Sequence, residues 1–514
     1  MSNKYLFKTL IELYDYIQNY KINKQSGTAQ SMGTVFVAED KKFFYDSGTS
    51  KVILIDEGIF KLIRYLITYN KTLSEINVLI KENNINTDRF LDFINAENLL
   101  KGFNITSLHC DTFLRHVHSS INTGTTQIIL ELTEECNLRC QYCIYNENYK
   151  NNRNFGLKRM SKETAFKAID FLVENGDKSE ISITFYGGEP LLEFQLLKEV
   201  IEYSKLVMPE RRKHFSFTTN LTLLTEEMAN YFSTVENLSI LCSIDGPKEI
   251  HDEHRKYRNG TGTFDNVYDN FKMLNTICKS NDTMSIAVNA VYAPPYYKEK
   301  PEIIDRFFKN LDFVKHNFNY HLGYPSKGSL PKHIFESMPK GDTSLLNWQD
   351  KELLGNSSFA SFKETTAISS LEKIHNRIIT NYQSDIVPQN GCCVAGYRRL
   401  YVTTTGKFLA CERIGNSPIL GDVDRGIDLD VVYSKYIFDY SNKWLKYCND
   451  CWSAKICSTC FVDKMDVDGV KDPDIDECNI VRFLNIKNLS RYHYLLQKYP
   501  YKLLYLESAD FMGY

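Results

Sequence analysis

The fourteen cysteines of this 514-residue chain are clustered: three fall in Cys136–Cys143 and eight in Cys392–Cys478, leaving Cys110, Cys242 and Cys278 apart. Any fold must bring such sets together. The N-terminal stretch MSNKYLFKTLIELYDYIQNYK lacks the apolar centre and small-residue cleavage site of a signal peptide. No run approaches the roughly 20 apolar residues of a membrane span. A cytoplasmic chain with no membrane partner is therefore expected. In a reducing compartment, clustered thiols point to metal ligation or redox chemistry rather than disulfides.

The length predicts two to four domains. Sixty-one Lys plus Arg against 64 Asp plus Glu give a net charge of −3, with no block of like charge. Nothing in that balance argues for nucleic acid. The N-terminus reads as an amphipathic helix with Leu6, Leu10, Leu13, Tyr14 and Ile17 on one face. Thr34–Val37, Phe43–Tyr45 and Val52–Ile55 read as short strands. Three helical patterns follow: Ile59–Thr68, one carrying Ile76, Leu79 and Ile80, and one carrying Phe90, Leu91 and Ile94. Strands with three short helices make a winged helix-turn-helix. Its last helix carries Asp88, Asp92 and Glu97 against one arginine, which disfavours phosphate contacts.

From residue 122 strands and helices alternate. Ile128–Leu132, Ile181–Phe185, Phe215–Phe217, Leu238–Ile244 and Ile286–Val291 read as buried strands. Helices are expected from Ser161, through Leu191–Lys205, and through Phe264–Cys278. Repeated β-then-α units imply a parallel sheet with its chemistry at the C-terminal strand ends. A further helix is expected near Leu371–Thr380.

The first cysteine set, Cys136-x3-Cys140-x2-Cys143, directly follows the first of these strands. A structural zinc site wants four protein ligands. Three thiolates on a short loop fit an iron–sulfur cluster with one open iron better. With Tyr186-Gly187-Gly188-Glu189-Pro190 at the next strand end, the loop resembles the radical S-adenosylmethionine superfamily. The resemblance implies that the three cysteines bind a 4Fe–4S cluster whose open iron chelates S-adenosylmethionine, with Tyr142 toward the adenine. Tyr186, Gly187, Gly188 and Glu189 would border the methionine end, and glycines there would let backbone approach the amino group. By the same resemblance Thr218, Thr219, Asn220, Ser243 and Asp245 face the ribose and carboxylate. Arg255, in preference to Arg258, would pair with the carboxylate, and Asn289 and Val291 could reach the adenine. No catalytic residue beyond the cluster ligands is assigned.

The second set is Cys393-x12-Gly406-x4-Cys411, then Cys448-x2-Cys451-x5-Cys457-x2-Cys460, then Cys478. Two zinc ribbons are the alternative, but the pattern resembles the SPASM extension of the same superfamily, which carries two auxiliary 4Fe–4S clusters. It departs from the family in having two residues, not three, before Cys460. The resemblance implies that Cys448, Cys451, Cys457 and Cys478 ligate one cluster fully, while Cys393, Cys411 and Cys460 hold three irons of the other. Adjacent Cys392 could supply a fourth ligand, although successive residues rarely aim side chains alike. Three clusters are thus expected in all. Cys110, Cys242 and Cys278 read as buried small hydrophobes.

The expected fold is α/β: a partial (β/α)6 TIM-like barrel with an N-terminal winged module and a cysteine-rich C-terminal domain. The expected boundaries are an N-terminal helix, 1–30; a winged leader-recognition module resembling the PqqD-like fold, 31–105; the barrel, 122–325; a connector, 326–390; the SPASM domain, 391–490; and a helical tail, 491–514. Together these resemble radical enzymes that mature ribosomally made peptides. The leader would add to an exposed sheet edge, a peptide cysteine thiolate would sit on the open auxiliary iron, and a thioether would form. Flavodoxin or ferredoxin would donate electrons. Formylglycine formation of the anaerobic sulfatase-maturase type and C–C crosslinking are the enzymatic alternatives. A winged-helix iron–sulfur or zinc redox sensor is the non-enzymatic one, but it would need no cofactor pocket.

Overall fold

The computed structural model describes all residues except 1–5, 24–28, 103, 122, 177–178, 315–318, 333, 335–346, 348–349, 351–352, 355–367, 369, 389–391, 467, 505 and 507–514. Much of the expected connector 326–390, the boundary residues 122 and 391 and the end of the expected tail lie outside the described residues.

The first helix, α1 (Leu10–Ile22), begins where the Thr9 hydroxyl accepts from Glu12 N. It buries Leu13 and Ile17, whereas Leu6 precedes the helix and is exposed, its expected place taken by buried Phe7. Strands β1 (Gly33–Ala38), β2 (Lys41–Asp46) and β3 (Val52–Ile55) form an antiparallel meander in which β3 pairs only with β2. Helices α2 (Glu57–Thr68), α3 (Leu73–Glu82) and α4 (Thr87–Ala96) start at Asp56, Thr72 and Asn86, each accepting a backbone N–H, with a full capping box at Thr72 and Glu75. Alternation along β2 splits its side chains between two cores. Phe44 joins Leu62, Leu66, Ile76 and Phe90, together with Leu13 and Ile17 of α1. Phe43 and Tyr45 face Trp452, Leu489 and Tyr492 of the C-terminal region. Residues 1–30 and 31–105 therefore share one core, because α1 supplies the apolar face that the three-helix layer lacks.

The main sheet takes β4 (Gln127–Thr133), β5 (Glu180–Gly187), β6 (Arg212–Thr219), β7 (Leu238–Ser243), β8 (Ser285–Val291) and β9 (Asn319–Gly323) in sequence order, all parallel. Helix α5 (Asp111–Ile121) precedes it. Helices α6 (Lys162–Asn175), α7 (Phe194–Val207), α8 (Glu226–Ser233), α9 (Lys248–His254), α10 (Phe264–Ile277) and α11 (Lys300–Lys309) occupy the crossovers. Ser161 caps α6 through Thr164 N. Because the six strands are parallel, the turns that follow them, with Cys136–Cys143 after β4 and Gly188 after β5, fall at one end of the sheet.

Three features depart from expectation. Strand β9 is Asn-Tyr-His-Leu-Gly, too polar to read as a buried strand. Strand β10 (Arg399–Val402), from the cysteine-rich region, adds parallel to β4, and β11 (Lys407–Leu409), β12 (Gly421–Asp422) and β13 (Gly426–Ile427) continue outward antiparallel. The four strands from 399 to 427 in the cysteine-rich region are thus part of the same sheet. Helix α12 (Asp439–Cys448) follows, and α13 (Ile475–Lys498) runs unbroken across the expected boundary at 490. It does so because Leu489, Tyr492 and Leu495 form one continuous buried stripe. The helix expected at Leu371–Thr380 is short, covering Glu372–His375. Among the described residues no helix is long and apolar enough to cross a membrane.

Candidate active site

The loop after β4 is fixed by backbone from two other turns. Gly188 N donates to Thr133 O at 2.8 Å, Glu189 N to Glu135 O at 2.9 Å, and Arg139 N to Lys256 O at 2.8 Å. Arg258 closes the loop from above, its Nη2 donating to Cys136 O at 2.7 Å and pairing with Glu135 at 3.0 Å. Cys136, Cys140 and Cys143 consequently line one cavity of about 410 Å³ at the C-terminal strand ends. Backbone donors aim at two of the sulfurs: Leu138 N at Cys136 Sγ (3.4 Å) and Tyr145 N at Cys143 Sγ (3.5 Å). Burial pushes the Cys136 thiol up and that of Cys143 to about 12, with the neighbouring thiols adding to the rise. Three such groups become thiolates together only against a strong cation, and metal ligation requires the thiolate form.

Most of the expected cofactor residues reach this cavity. Tyr142, Tyr186, Gly187, Gly188, Glu189, Thr218, Thr219, Asn220, Ser243, Arg255, Asn289 and Val291 all line it. Their side chains are not equally available. The buried Glu189 carboxylate accepts from Thr219 Oγ1 (2.7 Å), Asn220 N (2.8 Å) and Leu191 N (3.1 Å), and burial pushes its pKa up to about 7. The Thr219 hydroxyl is consumed there and by Leu221 N at 3.0 Å. Asn220 spends its amide on Asn137, at 3.0 Å, and on Thr222, so it braces the cysteine loop rather than facing a ribose.

Asp245 is a clear correction. It is 1% exposed and does not line the cavity. Its carboxylate accepts from the Tyr142 hydroxyl and from Val291 N (2.9 Å), and pairs with Arg255 Nε at 3.1 Å. It orients cavity residues rather than a ligand. Arg255 Nε makes no hydrogen bond although buried, while its guanidinium stands 5.4 Å from the Tyr142 ring centroid. Of the two candidate arginines, Arg255 is in the cavity and Arg258 is spent on the loop.

The glycines are also needed for a reason within the protein. At Gly188 a Cβ would lie 2.0 Å from Glu135 O, and at Gly187, with φ +140°, 2.3 Å from Thr133 O. The collision is with the cysteine loop itself.

The C-terminal thiols form two further groups. Cys448, Cys451, Cys457 and Cys478 line a cavity of about 70 Å³ with Lys464 and Arg482. Cys393, Cys411 and Cys460 line another of about 270 Å³, which Cys392 also borders. Cys392 is half-buried, its Sγ 3.9 Å from Thr459 O, whereas Cys393 is exposed. The two adjacent thiols diverge. Cys242 and Cys278 are buried, but Cys110 is partly exposed, against expectation. Among the described residues no three His, Cys, Asp or Glu side chains converge closely enough for a single metal ion. A cubane is held at its corners, so its thiolates stand farther apart than those around one ion. Three thiol sets, each lining its own cavity, with the buried Arg255 guanidinium beside the first, fit clusters and an amino-acid cofactor.

Sequence reading missed His321, Gly323, Tyr324, Pro325, Ser326, Tyr145, Glu412 and Arg413, which also line the main cavity. The first five come from β9 and its end, a strand not recognised. Glu412 and Arg413 follow Cys411 directly, so one loop borders both the main cavity and the Cys393–Cys411–Cys460 cavity.

Residues 130–307 match the radical SAM superfamily model. The matched segment runs from within β4 to within α11 and includes Cys136, Cys140 and Cys143. The chain is 30% identical over 227 residues to a cysteine-type anaerobic sulfatase-maturating enzyme of Clostridium perfringens, covering 41% of this chain and 59% of the relative. It is 26% identical over 254 residues to the radical SAM cyclopropyl synthase TigE of Paramaledivibacter caminithermalis, covering 46% of this chain and 51% of the relative. The chain spans little more than half the length of these curated relatives. Its fold is similar to the solved structure of native anSMEcpe with bound AdoMet and Cp18Cys peptide, at TM-score 0.52 and 19% identity, over 75% of this chain and 100% of that one.

Proposed function

We propose that this chain is a radical S-adenosylmethionine peptide maturase that forms thioether bonds from cysteines of a ribosomally made precursor peptide. The observation that carries the reading is the shared loop. Cys411 borders one thiol cavity while Glu412 and Arg413 border the other, so a peptide thiol and a C–H bond would be handled side by side.

In this reading Cys136, Cys140 and Cys143 hold the first cluster, and Cys393, Cys411 and Cys460 hold a second with one ligand position left for a peptide thiol. Cys448, Cys451, Cys457 and Cys478 hold a third. The bound cluster and S-adenosylmethionine supply a 5′-deoxyadenosyl radical that takes hydrogen from unactivated carbon. The protein's own residues bind and orient. Arg255, set by Asp245, pairs with the cofactor carboxylate. Glu189 accepts from its amine while keeping its three internal donors. Ser243 and Asn289 offer polar atoms to the ribose and adenine, and Tyr142 and Val291 give the base an apolar wall. Tyr324 and Arg413 also line the cavity and would help to keep water from a reactive intermediate.

The N-terminal sheet supplies the peptide dock. Among the described residues strand β3 has an outer edge with no strand partner, and Leu54 on it is 59% exposed. A leader adding to that edge would gain main-chain hydrogen bonds. Formylglycine formation is the second reading, favoured by similarity to the sulfatase-maturating enzyme over 227 residues.

The two readings separate by mass spectrometry after anaerobic reaction with a cysteine-containing precursor peptide. Thioether formation predicts loss of a hydrogen pair for each crosslink, with the cysteine protected from alkylation. An aldehyde reactive toward hydrazide at the former cysteine would instead establish the second reading.

A further inference from the structure

Lys464 is fully buried, at 0% exposure. Among the described residues no carboxylate pairs with it. Its Nζ donates to Tyr440 Oη at 2.7 Å and lies 4.2 Å from the Trp444 ring centroid and 4.7 Å from that of Tyr440. It lines the cavity of Cys448, Cys451, Cys457 and Cys478. Its backbone N donates to Phe461 O at 2.9 Å, and Phe461 and Val462 are on the wall of the Cys393–Cys411–Cys460 cavity. The ammonium therefore faces one C-terminal thiol cavity from a segment that also walls the other.

A buried ammonium is costly unless an anion compensates it. Two aromatic faces and one hydroxyl return only part of that cost. The anions nearest Lys464 are those the cysteine sets themselves become as thiolates. Other cations approach the sets from wetter ground. Arg482, partly exposed, has Nη1 3.7 Å from Cys451 Sγ, and Lys373 donates to Cys457 O at 2.8 Å. Water screens those charges, whereas Lys464 acts through a low-dielectric interior.

We infer that Lys464 is the shared counter-cation of the two C-terminal clusters, a positioning residue that raises the reduction potential of both, given the reading above that both sets ligate clusters. Each reduced cluster carries one more negative charge than its oxidised form, so a fixed cation nearby favours reduction. Acting on both, it also keeps their potentials rising together, which suits electrons passing from one to the other.

The test is a potentiometric titration of the full-length, anaerobically reconstituted protein, followed by electron paramagnetic resonance. In Lys464→Met both auxiliary midpoints should move negative by about 59 mV or more, a tenfold change in the one-electron ratio. The Cys136–Cys143 cluster should not move, and Lys464→Arg should restore most of the shift. Arg482→Gln should move only the Cys451 set, and by less. Lys464→Gln supplies the same comparison should the methionine variant lose iron. Unchanged auxiliary midpoints at full iron content would overturn the role of Lys464 and leave the cluster reading intact. A wild-type protein with only the first cluster would overturn both.

Discussion

Replacing Cys136, Cys140 and Cys143 together with alanine is expected to abolish reductive cleavage of S-adenosylmethionine to 5′-deoxyadenosine. The three thiols line a single cavity, and the loop that carries them is held by backbone hydrogen bonds from the Gly188, Glu189 and Lys256 positions. Those contacts do not involve the sulfurs, so the variant keeps the loop and loses only the ligands. The C-terminal sets lie in separate cavities and should retain iron. Chromatography of the reaction under strong reductant measures the outcome. Continued release of 5′-deoxyadenosine would show that the radical originates elsewhere.

A comparable loss is expected from one methyl group at Gly188. The added Cβ would meet Glu135 O at 2.0 Å, Glu135 C at 2.3 Å and Cys136 N at 2.8 Å, all of them backbone. A flexible side chain could move aside, but this segment is pinned by the Glu189 N bond to Glu135 O at 2.9 Å and by Arg258 on Cys136 O. Overpacking of this kind costs about 1–3 kcal/mol. The displacement is directed at the first cluster ligand, so Gly188→Ala should lower iron content and cofactor cleavage far more than it lowers thermal stability. A variant with wild-type cleavage would mean that the loop yields more readily than its bonds imply.

Legibility in the sequence followed the kind of constraint each residue meets. The family resemblance, not the spacing, divided the C-terminal thiols into the two groups that line two cavities, since Cys460 lies three positions after Cys457 and lines the other cavity. Strands β4 to β8 announced themselves because their apolar runs are covered on both faces. Strand β9 did not, since Tyr320 and Leu322 are its only buried apolar side chains. Strand β10 is a four-residue Arg-Leu-Tyr-Val run whose partner, β4, lies about 270 positions earlier, and no local pattern announces such a pairing. The roles of Gly188 and Asp245 were hidden for a related reason. One depends on backbone approaching from another turn, the other on three partners brought from separate elements. Lys464 was invisible as well, since a lysine in a loop reads as solvated until packing encloses it.

The account stands most directly on the metal content of the anaerobically reconstituted full-length protein. Three cubanes predict about twelve irons and an equal amount of sulfide per chain. Stoichiometric zinc, with no iron–sulfur absorbance, would contradict it.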